Sequence, residues 1–158
     1  MIEMTYLSGY LTPRESLIWS LKRKLDSVTE ISTELSISRQ AVYKSLNVIE
    51  AKIEHAFNEA LDSNKLEPIL VNLAEGVMKA YSPAHDLPVI VSLSEANGLK
   101  LWYLYKGNCS KCKLELSCQR MLVKEAKERG VQLTKRDLEG EPTDLALKVF
   151  SPYFKEGE

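Results

Sequence analysis

Histidine and cysteine are scarce in this chain, with two histidines and three cysteines among 158 residues. Three thiols cannot make the paired framework of a small secreted domain. The lone His55 and His85 supply no paired-histidine metal motif. There is no Ser-His-Asp order, no catalytic His-Cys pair and no glycine loop to cradle a phosphate, so nothing points to an enzyme. Long apolar runs are missing too. No window approaches the ~18 apolar residues of a membrane span, and the opening MIEMTYLSGYL has no basic region followed by an apolar stretch. The expectation is a cytoplasmic protein with no membrane partner. Internal repeats and low-complexity tracts are likewise missing.

What is present is an ordinary globular composition, 44% hydrophobic and 27% charged, sufficient for one domain or two small ones. The formal net charge of -1 hides an uneven distribution. Residues 1–61 hold seven Lys and Arg against eight Asp and Glu, whereas residues 100–136 hold ten against three, a local balance of +7. Such a basic stretch reads either as a contact for a polyanion or as a solvated helix face.

Helix signals are dense at the amino terminus. In LTPRESLIWSLKRKL, Thr12 is a candidate N-cap, Pro13 stands at the first helical position and Glu15 completes a capping box. Leu17, Ile18, Leu21 and Leu25 follow at helical spacing. Ser27 and Glu30 predict a second capping box before the stripe Val28, Ile31 and Leu35, and that helix ends at Ser36. Ser38 caps a third helix, with apolar positions Val42, Leu46, Ile49, Ile53, Phe57 and Ala60. Two helices joined by so short a turn predict a helix-turn-helix, its core made by Ile31, Leu35, Ile37, Val42 and Leu46. Ser38, Arg39, Gln40, Tyr43 and Lys44 then stand on the uncovered first turns. Arg can take both acceptors of a guanine edge and Gln can pair bidentately with adenine, while Ser, Tyr and Lys can hold phosphates. An amphipathic helix with a solvated polar side is the plainer alternative.

LTPRES followed by VTEISTELSISRQAVYKSL resembles the helix-turn-helix of LuxR/GerE-type regulators and of sigma-factor region four, and most closely that of archaeal Tfx-type DNA-binding proteins. The resemblance covers about the first third of the chain. It implies double-stranded DNA as partner, read by the third helix through Ser38, Arg39, Gln40, Tyr43 and Lys44. Ser36 stands where such motifs usually carry glycine, and Ser32 where they usually carry alanine. One such motif contacts few base pairs, and pairing of two copies reads two half-sites. The long stripe Ile49 to Ala60, with a fourth helical stripe Leu66, Ile69, Leu70, Leu73, Val77 and Tyr81, is the candidate homodimer seam; packing of the two within one subunit is the other reading.

Beyond the proline-flanked linker SPAHDLP the period shortens. Leu87–Leu93 and Leu99–Tyr105 predict a hairpin around Asn97-Gly98, with Trp102 and Leu104 on one face and Leu101, Tyr103 and Tyr105 on the other. Helices are predicted from about Leu114 to Arg129 and from Thr143 to Phe150. Cys109, Cys112 and Cys118 form C-x-x-C followed by a third thiol, a spacing that can hold zinc. It is also similar to the three-cysteine part of the iron-sulfur sites in the oxygen-sensing fumarate and nitrate reduction regulator, in WhiB-like proteins and in endonuclease III-type glycosylases, all of which add a fourth cysteine that this chain lacks. A core Cys118, with Cys109 and Cys112 as a thiol or disulfide pair, is the alternative.

Together these readings predict a mainly α protein: a helix-turn-helix domain over 1–62, a connector and dimerisation helix over 63–82, and a small α+β domain with a β-hairpin over 83–158 that senses a small molecule or redox state, or completes assembly. The function expected is that of a DNA-binding transcriptional regulator. A nucleic-acid-modifying enzyme and a protein-interaction adaptor are the alternatives.

Overall fold

The computed structural model describes residues 10–25, 27–105 and 115–154. The chain is mainly helical, with six helices and a four-stranded antiparallel sheet among the described residues: α1 (Pro13–Lys24), α2 (Val28–Leu35), α3 (Arg39–Asn64), β1 (Glu67–Asn72), β2 (Val77–Ser82), β3 (Leu87–Ser94), β4 (Gly98–Tyr103), α4 (Glu115–Arg129), α5 (Lys135–Glu139) and α6 (Pro142–Phe150). A short 3-10 turn, Ser151–Phe154, follows.

The caps form where the sequence puts them. At α1 the Thr12 hydroxyl accepts from the Glu15 amide at 3.1 Å, and Glu15 Oε1 accepts from the Thr12 amide at 2.9 Å. At α2 the Ser27 hydroxyl accepts from the Glu30 amide, without the reciprocal carboxylate bond of a full box. Ser36 ends α2 in the left-handed region at φ 54°, ψ 44°, and Ser38 Oγ accepts from the Ala41 amide to open α3. Ile31 and Val42 are fully buried, while Leu35 and Leu46 are half-buried against the core that α1 and α3 share with the sheet.

The fourth helical stripe predicted over Leu66–Tyr81 is instead the hairpin β1–β2, so residues 63–82 contain no connector helix. Spacings of three and four are there in Leu66, Ile69, Leu70 and Leu73, but Pro68 would stand inside that helix at a cost of ~3 kcal/mol. Lys65 ends α3 at φ 54°, Asn72 Oδ1 accepts from the Glu75 amide, and Gly76 turns the chain at φ 66°. SPAHDLP is no linker either: residues 83–86 form the turn between β2 and β3. The predicted β3–β4 hairpin is present, in register from Val89 opposite Tyr103 to Ser94 opposite Gly98.

The sheet runs β1-β2-β3-β4 and is covered on both faces. One face, with Met78, Ala80, Val89, Val91 and Leu93, packs on Trp19 of α1 and on Ile49, Ile53, Phe57 and Ala60 of α3. The other, with Val77, Ile90, Trp102 and Leu104, packs on Leu122 and Ala126 of α4 and on Leu145, Val149 and Phe150 of α6. Each such large apolar side chain contributes about 1.5–3 kcal/mol on burial. The α3 stripe predicted as a dimer seam is therefore covered by the chain's own sheet.

Within the second layer lies an ion pair with both side chains fully buried: Arg129 Nε to Glu125 Oε2 at 2.9 Å. Glu125 Oε1 accepts from Ser94 Oγ at 2.7 Å and Asn97 Nδ2 at 3.2 Å. Arg129 donates to the Glu75 and Leu93 carbonyls and lies over the rings of Phe150 and Tyr153. The two halves also meet at Arg23, which sits over Trp19 and pairs with Glu128 of α4 at 3.1 Å. No helix among the described residues is long and apolar enough to cross a membrane.

Candidate nucleic-acid interface

Ser38, Arg39, Gln40, Tyr43 and Lys44 are all exposed on the first turns of α3, with Tyr43 57% accessible. The side chains of Arg39, Gln40, Tyr43 and Lys44 make no hydrogen bond or ion pair with any described residue. Ser38 differs: its oxygen is occupied by the Ala41 amide, which leaves its hydroxyl proton to donate. Its first duty is to hold the helix end: it takes the Ala41 amide, one of the four at that end without an intrahelical acceptor, and leaves those of Ser38, Arg39 and Gln40.

The same helix is fixed firmly about two turns further on. Lys52 Nζ donates to both oxygens of Glu15, at 2.7 and 2.8 Å, tying α3 to the capping box of α1. Burial pushes the Glu15 carboxyl up, but the Lys52 ammonium and the Thr12 amide outweigh it and hold the carboxyl below its ordinary value. On the flank, His55 pairs with Glu59 at 3.1 Å, and the Tyr10 hydroxyl donates to Glu59. Lys52, His55 and Glu59 are thus engaged with described residues of the protein, whereas the side chains of Arg39, Gln40, Tyr43 and Lys44 are not.

Spacing extends the exposed face further than the motif residues suggest. Lys44, Val48, Ala51 and His55 follow one another at intervals of four, three and four on the exposed side of α3. A shallow groove of about 440 Å³ lies beside Val48, Ala51 and His55, closed on one side by Tyr10. Sequence reasoning passed over these positions because it followed the buried stripe of the helix; the complementary stripe was available at the same spacing.

The basic segment 100–136 is not one surface. Arg120, Lys124 and Lys127 are exposed on α4, whereas Arg129 is interior and serves Glu125. Of the cysteine constellation, Cys118 is half-buried on α4; Cys109 and Cys112 lie outside the described residues. Among the described residues no group of three or more His, Cys, Asp or Glu side chains is arranged to hold a metal ion. Trp102 faces the α4–α6 layer and donates to Ser92 Oγ at 2.9 Å, while Tyr103 lies on the opposite face with its ring centre 5.0 Å from that of His85. Comparison of the chain with known protein families, with curated proteins and with solved structures finds no match.

Proposed function

We propose that the protein is a cytoplasmic, sequence-specific DNA-binding regulator that acts as a homodimer and sets the first turns of α3 into the major groove of a duplex. The observation that carries this reading is the contrast along one helix: the side chains of Arg39, Gln40, Tyr43 and Lys44 make no hydrogen bond or ion pair with a described residue, while the rear half of α3 is held under the sheet and tied to Glu15 through Lys52. A rigidly mounted helix end with outward amides and unpaired cations suits phosphate and base-edge contacts. The left-handed Ser36, at the position where the resembling families carry glycine, supports the same reading.

The roles divide by chemistry. Arg39 and Gln40 read base edges, Tyr43 and Lys44 hold phosphates, and Ser38 caps the helix while donating to the backbone of the duplex. Selection of bound fragments from a pool of random duplexes tests the reading. Arg39→Ala is expected to cost about 1–3 kcal/mol at the selected site and to relax its sequence preference. Lys44→Ala is expected to weaken all duplexes alike and to lower the slope of log affinity against log salt by about one. Equal binding by the parent and both variants would remove α3 as the reading helix and favour a module that binds protein.

A further inference from the structure

We infer that the outer face of α4 is a second nucleic-acid contact, a row of cations that takes the phosphates of a duplex without reading its bases. It stands apart from the reading of α3 and uses none of the same residues. Leu116, Arg120, Val123, Lys124 and Lys127 are exposed and fall, at helical spacing, on one side of α4, opposite the buried Leu122, Glu125 and Ala126. The side chains of Arg120, Lys124 and Lys127 make no hydrogen bond or ion pair with a described residue.

What sets this face apart is where the acids of α4 go. Glu125 is turned inward and serves Arg129. Glu128, four places after Lys124, is engaged elsewhere: Oε2 accepts from Arg23 Nη1 at 3.1 Å and from the Glu95 amide at 3.2 Å, and Oε1 accepts from the Ala96 amide at 2.9 Å. Glu115 lies in the first turn, where it complements the helix dipole. On neighbouring α5, Asp137 is held in the capping box of Thr134. Arg120 and Lys124 are therefore four residues apart, and Lys124 and Lys127 three apart, with no acid of α4 free to offset their repulsion. Like charges at those spacings destabilise a helix. A solvated helix face laces both signs together, whereas this one carries a single sign whose counter-charge has to come from outside.

The row suits a duplex. From Arg120 to Lys127 it runs about 10 Å along the helix axis, and a duplex carries about one negative charge per 1.7 Å, so about six phosphates lie opposite. No Asn or Gln stands in the row to pair with a base edge, which makes it a holding surface. Because α3 packs on the other face of the sheet, the row addresses a stretch of duplex other than the one beneath the reading turns. A membrane surface fits less well. Amphipathic helices enter that interface by their apolar side, and the apolar side of α4 is packed on the sheet through Leu122 and Ala126.

Fluorescence anisotropy of the full chain with a random-sequence duplex of about 20 base pairs, between about 50 and 200 mM salt, tests this. The variant Arg120→Gln/Lys124→Gln/Lys127→Gln is expected to bind at least about tenfold more weakly at the lower salt and to lower the slope of log affinity against log salt by about three. Lys22→Gln/Lys24→Gln/Lys65→Gln removes the same charge from α1 and the end of α3, and is expected to keep most of the slope. Circular dichroism checks that each variant folds. Equal losses in the two variants would reduce the effect to net charge and overturn the inference, as would a slope that the α4 variant leaves unchanged. Polyglutamate that competes as well as the duplex, at equal charge, overturns it in favour of an acidic protein partner. The pair Arg39→Ala/Lys44→Ala separates this site from the reading of α3. A slope that depends on the α4 row and not on Arg39 and Lys44 keeps this site and loses that reading. Sequence selection lost in Arg39→Ala, with a slope indifferent to the α4 row, keeps that reading and loses this site. A parent that binds no duplex even at the lower salt overturns both.

Discussion

Gly76 sits where Trp19 of α1 lies on the β1–β2 turn, its indole N–H donating to the Ala74 carbonyl at 3.0 Å. A Cβ added there would stand 2.7 Å from the Trp19 ring, at a backbone φ of 66° that side chains rarely adopt. Gly76→Ala is expected to destabilise the fold by about 2–4 kcal/mol in urea denaturation, combining overpacking with left-handed strain. Arg129 makes the reverse case, a position where a missing side chain is costly. Arg129→Met leaves Glu125 as a buried charge without its counter-ion, an expected loss of about 3–5 kcal/mol. Adding Glu125→Gln should recover part of that loss, a coupling that a double-mutant cycle reads directly. Neither residue could be singled out from the sequence. Gly76 lay in a stretch read as helix, and Arg129 looked like one more cation of a basic segment, because an ion pair four residues apart has the same spelling whether it faces water or the core.

Helix ends were the most legible elements, since a cap is a local event. Thr12, Ser27 and Ser38 each accept the amide three residues on, whatever the rest of the chain does. The cap at α1 carries a dependence on pH. Glu15 is held below its ordinary value, so its protonation is harder in the folded state than in the unfolded one. The resulting stability is present above the ordinary carboxylate range and is lost as pH falls through the lowered folded value. The stability gap between the parent and Glu15→Gln should therefore be full at neutral pH and shrink on acidification. In Lys52→Met it should close at a higher pH; thermal melts along a pH series measure both. The β1–β2 hairpin was misread because apolar spacing alone cannot separate a short strand pair from a helix, and the stripe was followed past the breaking signals at Pro68 and Gly76 without weighing them.

At the scale of the molecule, sequence reasoning divided what the packing joins. The mainly α class and the β3–β4 hairpin followed from local patterns, but that α3 forms one wall of the sheet's core depends on contacts between residues such as Phe57 and Val91, far apart in the chain. No local pattern encodes such a pairing. A fragment of residues 1–66 would expose Ile49, Ile53, Phe57 and Ala60 together. It is expected to show less helix per residue by circular dichroism than the intact chain and no cooperative melt; a fragment that melts cooperatively would restore an independent amino-terminal domain. The exposed turn of α3 was legible for the opposite reason, since no described residue covers it.

The unbroken run of α3 from its exposed first turns to the sheet makes it a lever with its fulcrum in the core. Its buried contacts with the sheet's core begin at Ile49, ten residues and so about 15 Å from Arg39, and a tilt of ~10° over that arm swings the tip by about 2.6 Å, further than a hydrogen bond can stretch. Under the proposed DNA-binding reading, switching such a tip off a duplex requires no unfolding and no moving hinge within the helix. A small rocking of the sheet beneath it is enough.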